Sequence, residues 1–229
     1  TNDRMAVGNI AEGETIKPFY WKSGAEIHFL NQGDNKILDG KIMWVNNQNQ
    51  VAGFFKNMKE TPPGVWSSEQ GLQIVKNFRS KPVPDGEAEL IDLLIAEDGT
   101  VYGTYQIKYT DPSKHSPSVA YAWLPYEGGG FKLLDLEGMQ ITGLNEWHTL
   151  VGSLKGQAAI CEPGEKPIEL CKIIPQQELT DWELLEATSI NNWGDLVGYG
   201  KYKGDLHIFY AKKDQKFGAA QEKLSIVQP

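Results

Sequence analysis

Two cysteines, Cys161 and Cys171, and four histidines are the whole thiol and imidazole content of this 229-residue chain. So few ligands exclude a zinc-type constellation and a disulfide framework, and no metal or cofactor is expected. No stretch approaches the ~18 apolar residues of a membrane-spanning helix, so membrane insertion is not expected. Clustered Lys and Arg are also missing; Lys201–Lys203 and Lys212–Lys213 read as solvated turns. With a net charge of −8, this excludes a nucleic-acid partner, because phosphate binding needs a basic surface. There is no sustained helical periodicity and no low-complexity tract. His115 has no Ser or Cys partner in a recognisable context, which leaves nucleophilic catalysis without a basis. No secretory leader is present, and a chain beginning at Thr1 is expected to have lost an upstream segment.

The chain does contain a repeat. A glycine closing a short apolar strand recurs at Gly8, Gly53, Gly103, Gly152 and Gly198, in steps of 45, 50, 49 and 46 residues. Eight residues before the last four stand Val45, Ile95, Leu144 and Ile190. Each is followed by a polar pair where a hairpin must turn, and Asp98–Gly99 and Trp193–Gly194 supply the glycine that positive φ favours. A third apolar strand follows each marker: Pro18–Trp21, Gly64–Trp66, Tyr121–Trp123, Ala158–Cys161 and His207–Tyr210. A fourth follows at Glu26–Leu30, Leu72–Val75, Phe131–Leu134 and Ile168–Cys171. Four short strands per 45–50 residues, five times over, predict a single all-β domain, a five-bladed β-propeller spanning 1–229. The blades fall at about 1–40, 41–89, 90–139, 140–185 and 186–229.

The end of the chain sets the strand count. Lys223–Val227 is a strand, and it could be either the inner strand of the first unit or the outer strand of the fifth. Passing from outer to inner strand crosses roughly 14 Å at ~4.8 Å per gap. If Phe217–Ala220 were the outer strand, Gln221–Glu222 alone would have to cover that distance, and two residues reach at most ~7 Å. Lys223–Val227 is therefore read as the outer strand of unit five. The first blade then lacks an inner strand, which the upstream segment is expected to supply, and a partner could donate a strand into that slot. Cys161 and Cys171 flank one predicted hairpin. A bond between them would need a slipped register, and free, half-buried thiols are the expectation.

The pattern I-N-N-x-G-D-L-V-G-Y followed by H-x-F-Y, in Ile190–Tyr210, resembles the HAF-type repeat of bacterial, often exported, proteins. Val45–Phe54 with Val65–Trp66 matches less fully, and Ile95–Thr104 with Ala120–Trp123 is weaker again. Unit four departs most, with His148 at the turn-glycine position and Ala159–Cys161 in place of the aromatic strand end. The resemblance implies a propeller-like repeat and an extracellular or cell-surface location. It implies no catalytic residues.

Tyr20, Trp21, Trp66, Trp123, Phe209 and Tyr210 recur at one position, in the third strand, and read as packing between blades rather than a ligand cage. Asn46, Asn145 and Asn191 read as turn formers. Candidate binding residues are sought where the repeat is broken, in the long connections of one rim: Arg79, Tyr105, Tyr109, His115, Trp182 and Tyr202. Trp147 and Trp193 share a turn position on the opposite rim, either as a stacking platform or each folded over its own turn. A non-catalytic module recognising a glycan or a protein is the favoured function. A glycosidase would need paired inner-strand carboxylates about 5–9.5 Å apart, and Asp92 and Glu186, with Glu89 just before, are the candidates. A purely architectural domain is the third reading.

Overall fold

A computed structural model describes residues 5–32, 36–56, 62–75, 86–111, 113, 118–124, 130–134, 136, 138–213 and 224–227. The fold is all-β, built of five antiparallel sheets, none closed into a barrel. Sheet one holds β1 (Met5–Glu12), β2 (Thr15–Lys22) and β3 (His28–Phe29). A two-stranded ribbon, β4 (Asn31–Gln32) and β5 (Lys36–Ile37), leads to sheet two: β6 (Gly40–Val45), β7 (Val51–Phe55), β8 (Pro63–Ser67) and β9 (Gly71–Ile74). Sheet three is β10 (Gly86–Ile95), β11 (Val101–Tyr109), β12 (Ser118–Leu124) and β13 (Gly130–Leu134). Sheet four is β14 (Gln140–Leu144), β15 (Leu150–Leu154), β16 (Gln157–Cys161) and β17 (Ile168–Glu169). Sheet five is β18 (Trp182–Ile190), β19 (Leu196–Tyr202), β20 (Asp205–Lys213) and β21 (Leu224–Val227).

In every sheet the strands pair in chain order, as in a meander. Sheet one has three strands, and β21 pairs with β20 as the outer strand of sheet five. The chain divides into two compact units. One comprises Thr1–Val83, Ile91–Gly103 and Tyr121–Lys132; the other comprises Pro84–Leu90, Thr104–Ala120 and Leu133–Pro229. In the first unit Leu30, Leu38, Ile42, Val51, Phe55 and Trp66 form a core between sheets one and two. In the second, Val151 and Ala158 of sheet four meet Leu184, Ala187, Leu196 and Phe209 of sheet five, sealed by Leu170, Ile174 and Leu179 from the connection between them.

The marker glycine has a physical cause. On the facing inner strand the pairing slips by a residue, between Ile42 and Trp44, between Ile141 and Gly143, and between Ala187 and Ser189. The bulge swings a backbone carbonyl towards the second strand. A Cβ on Gly53 would lie 2.4 Å from the Lys41 oxygen, on Gly152 1.8 Å from that of Gln140, and on Gly198 2.1 Å from that of Glu186. No side chain fits. The vacated space is used from the other flank, where Phe19 pairs with Gly8 and Phe209 with Gly198 and their rings lie over the glycines.

Several expectations change here. The third-strand aromatics occupy successive register positions rather than one: Phe209 faces Gly198, Tyr210 faces Val197, and Trp66 faces Val51 two places before its glycine. Successive residues point to opposite faces, so Phe209 is buried and Tyr210 exposed; Trp66 and Trp123 are also buried, whereas Trp21, at the same register position as Trp66, is exposed. The predicted loop Tyr199–Lys203 is mostly strand, joined to β20 by a two-residue turn in which Lys203 and Gly204 both take positive φ. The predicted loop from Gln106 is likewise strand as far as Tyr109. The inner strand of unit five begins at Trp182 rather than Glu186. Ile168–Cys171 is strand only to Glu169, with Leu170–Lys172 forming a 3₁₀ turn.

Gly152→Ala is expected to destabilise the protein by about 2–4 kcal/mol, because the new methyl group meets backbone that cannot rotate away. Gly156→Ala, in an open turn with φ of 79°, is expected to cost only about 1 kcal/mol. Urea denaturation of both variants checks the order; equal losses would disprove the bulge explanation.

Candidate functional site

The first-hairpin turns are built alike. In sheets two, four and five an asparagine opens the turn, and its Oδ1 accepts backbone N–H groups two and four residues on. These donors are Gln48 and Gln50 for Asn46, Trp147 and Thr149 for Asn145, and Trp193 and Asp195 for Asn191, at 2.9–3.1 Å. This is the local bonding that suits asparagine to turns. The residue four before the marker glycine has positive φ in all four such turns, where it is Asn49, Gly99, His148 or Gly194. In sheet three, Ala96 replaces the asparagine and Asp98 caps Thr100 instead.

Within each compact unit one such turn is also tied to the next. Asn46 Nδ2 donates to Ala96 O at 2.8 Å, and the Asn47 N–H donates to the Glu97 carboxylate. In the second unit Asn145 Nδ2 donates to Asn191 O at 3.2 Å and the Glu146 N–H to Asn192 Oδ1 at 3.0 Å. These bonds repeat at the period of the sequence.

On this scaffold Trp147 and Trp193 stand side by side in successive turns. They are 63% and 70% exposed. Trp147 does not fold over its own turn; its Nε1 donates to Asn192 O of the next turn at 3.0 Å. Between the turns opens a cleft of about 450 Å³, floored by Ile160, Ile168, Ile173, Ile190 and Leu224 and bordered by Glu162 and Lys213. Glu162 accepts the Thr149 hydroxyl at 2.7 Å. Asp195 anchors the wall by accepting the Lys213 N–H at 3.0 Å and the Tyr210 hydroxyl at 3.0 Å. Burial pushes its pKa upward, but the hydrogen bonds from Lys213, Asn191 and Tyr210 outweigh this and hold it below the usual carboxylate value.

The first unit has a counterpart of this cleft, about 280 Å³, between the turn of sheet three and the outer strands of sheet two. By register Asp98 stands where the second unit has Trp193, Ser67 where it has Glu162, and Gln73 where it has Ile168. The repeat therefore builds the groove without requiring an apolar lining. Turn tryptophans and an isoleucine floor are particular to the second unit, although Trp123 and Val65 also line the cleft of the first.

The other candidates fall differently. Arg79 and His115 lie outside the described residues. Tyr105 is buried within β11, and Tyr109 ends that strand. Trp182 and Tyr202 face each other across β18 and β19 with ring centres 5.1 Å apart, and His207 packs edge-on to both. Theirs is a packed cluster at the end of sheet five. Asp92 accepts the Leu93 N–H at 2.8 Å, and Glu186 accepts the Tyr199 hydroxyl at 3.2 Å. Asp92 belongs to the first unit and Glu186 to the second, while Glu89 pairs with Lys108. Among the described residues no three His, Cys, Asp or Glu side chains gather so as to hold a metal ion, and no helix is long and apolar enough to cross a membrane. No model of a known protein family matches the chain, and no curated protein matches it.

Sequence reasoning reached the two tryptophans but missed the isoleucine floor. A usable signal was present: Ile160 and Ile168 pair across β16 and β17, where the second unit of the repeat carries Val65 and Gln73.

Asn145→Ala is expected to cost about 2–4 kcal/mol, since two turn N–H groups and the Asn191 carbonyl all lose a partner. Chemical denaturation measures it, with Asn145→Asp retaining the two acceptor bonds and part of the stability. Both cysteines are free. Burial, with Glu162 and Glu165 alongside, pushes the Cys161 thiol up to about 11, and burial beside Glu169 raises that of the exposed Cys171. The fold thus favours protonated Cys161, so its contribution is intact below the ordinary thiol value of 9.0 and is lost as pH rises towards about 11. Alkylation at neutral pH should mark Cys171 first and Cys161 only on unfolding; early labelling of Cys161 would contradict the burial described here.

Proposed function

We propose that this chain is a non-catalytic binding module of the propeller type, whose recognition site is the cleft walled by Trp147 and Trp193. The observation that carries this reading is the pair of exposed indoles over an apolar floor, at a place where the first unit has Asp98 and Gln73. A cleft of about 450 Å³ is of the size that accepts a ligand, and two rigid aromatic walls supply contact area at low entropic cost. The five-bladed reading is supported by the 45–50-residue period, the four-stranded meanders and the hydrogen bonds that join successive turns within each unit. Within the same proposal the chain is a bacterial, exported protein of the HAF-repeat kind, its ligand is a glycan or a protein, and the open edge of sheet one can accept a strand. The glycosidase reading draws no support from Asp92 and Glu186, each of which is engaged locally.

A glycan array and a pull-down from surface proteins, run with the wild type and with Trp147→Ala/Trp193→Ala, test the reading. Binding that is saturable in the wild type and at least tenfold weaker in the double variant is expected, with the melting temperature of the free protein little changed because both rings are exposed. Binding indifferent to both tryptophans would move the site elsewhere. No binding at all would leave an architectural role.

A further inference from the structure

We infer that the cleft takes a large apolar side chain of a partner protein, aromatic or branched aliphatic, flanked by basic residues, rather than a sugar. This rests on the cleft being the recognition site, as proposed above. A sugar is read through hydrogen bonds to its hydroxyl groups, and several of the polar groups around this cleft are already engaged. Trp147 Nε1 is held by Asn192 O, and Asn192 Oδ1 by the Glu146 N–H. The Asn145 amide is committed on both its oxygen and its nitrogen, and Thr149 Oγ1 bonds Glu162. The surface left to a ligand is mainly isoleucine and indole, with Glu162 and Lys213 at its border.

The form of the cleft points to a protein rather than a loose small molecule. Trp147 and Trp193 are about two-thirds exposed and Ile168 is 45% exposed, so an occupant is covered from one side only. A partner that brings its own surface completes the desolvation, which is how tryptophan becomes an interface anchor. Charge selects the flanks. Glu162 borders the cleft against Lys213, and Glu146 stands next to Trp147 in its turn, on a chain of net charge −8.

The test is nuclear magnetic resonance of the indole N–H signals in the full chain, titrated with acetyl-Lys-Trp-Lys-amide, acetyl-Glu-Trp-Glu-amide and methyl glycosides. The basic peptide should shift the Trp147 and Trp193 signals saturably in about the millimolar range. It should bind roughly tenfold more tightly than the acidic peptide, with the difference shrinking in high salt. Trp193→Ala and Ile168→Ser, checked for unchanged dispersion elsewhere in the spectrum, should each weaken it. A glycoside that binds as well as the basic peptide would overturn the ligand class while leaving the recognition site in place. Equal affinity for the two peptides would overturn the basic flanks. If no probe moves either indole signal, the cleft is not a recognition site and both readings fall together.

Discussion

A backbone carbonyl standing where a Cβ would have to be is the constraint on which the rest of this structure depends. The bulges in β6, β14 and β18 aim that oxygen at the second strand, and glycine at 53, 152 and 198 is the consequence. The bulge residue itself is put to use. Thr142 sits in the slip of β14, and its hydroxyl donates to Ala187 O on the next sheet. A local irregularity thus becomes a bond between repeats, and the sheets stack by polar register as well as by hydrophobic contact.

The turns extend the same principle to the rim. An asparagine that satisfies its own turn with Oδ1 has its amide hydrogens left over, and in sheets two and four these reach the carbonyl of the next turn. With two successive turns fixed in this way, residues at equivalent places are held at a fixed spacing. Trp147 and Trp193 are such residues. Their parallel placement follows from the scaffold, and the chemistry between them depends on which side chains the outer strands supply.

Much of this was legible in the sequence. The glycine period gave the sheet count and the strand order, because steric exclusion of a Cβ leaves a one-letter trace, and the short reach of two residues gave the outer place of the last strand, Leu224–Val227. The turn asparagines were legible because a side chain that bonds its own turn also leaves a one-letter trace. What could not be read was where a strand runs past its repeat. Tyr199–Lys203 looks polar and loop-like, yet Lys201 is paired to Glu183 on the facing strand and a Lys203–Gly204 turn extends the hairpin. Polarity marks solvent, and an exposed strand meets solvent as a loop does. Trp182 and Tyr202 were misassigned on that account: they look like loop aromatics and are in fact a cross-strand pair. The apolar floor of the cleft escaped because its isoleucines come from two sheets and converge only once the turns have been tied together.

The eight-residue step from Val45 to Gly53, Ile95 to Gly103, Leu144 to Gly152 and Ile190 to Gly198 never varies, although the intervals between markers range from 45 to 50. With the turn bonded to its neighbour at one end and the bulge locked against glycine at the other, this segment works as a gauge block. Growth is possible only elsewhere in each repeat. For anyone grafting a loop, inserting a tag or permuting this chain, the inner hairpin is closed to changes of length, while the connections beyond the second strand can absorb them.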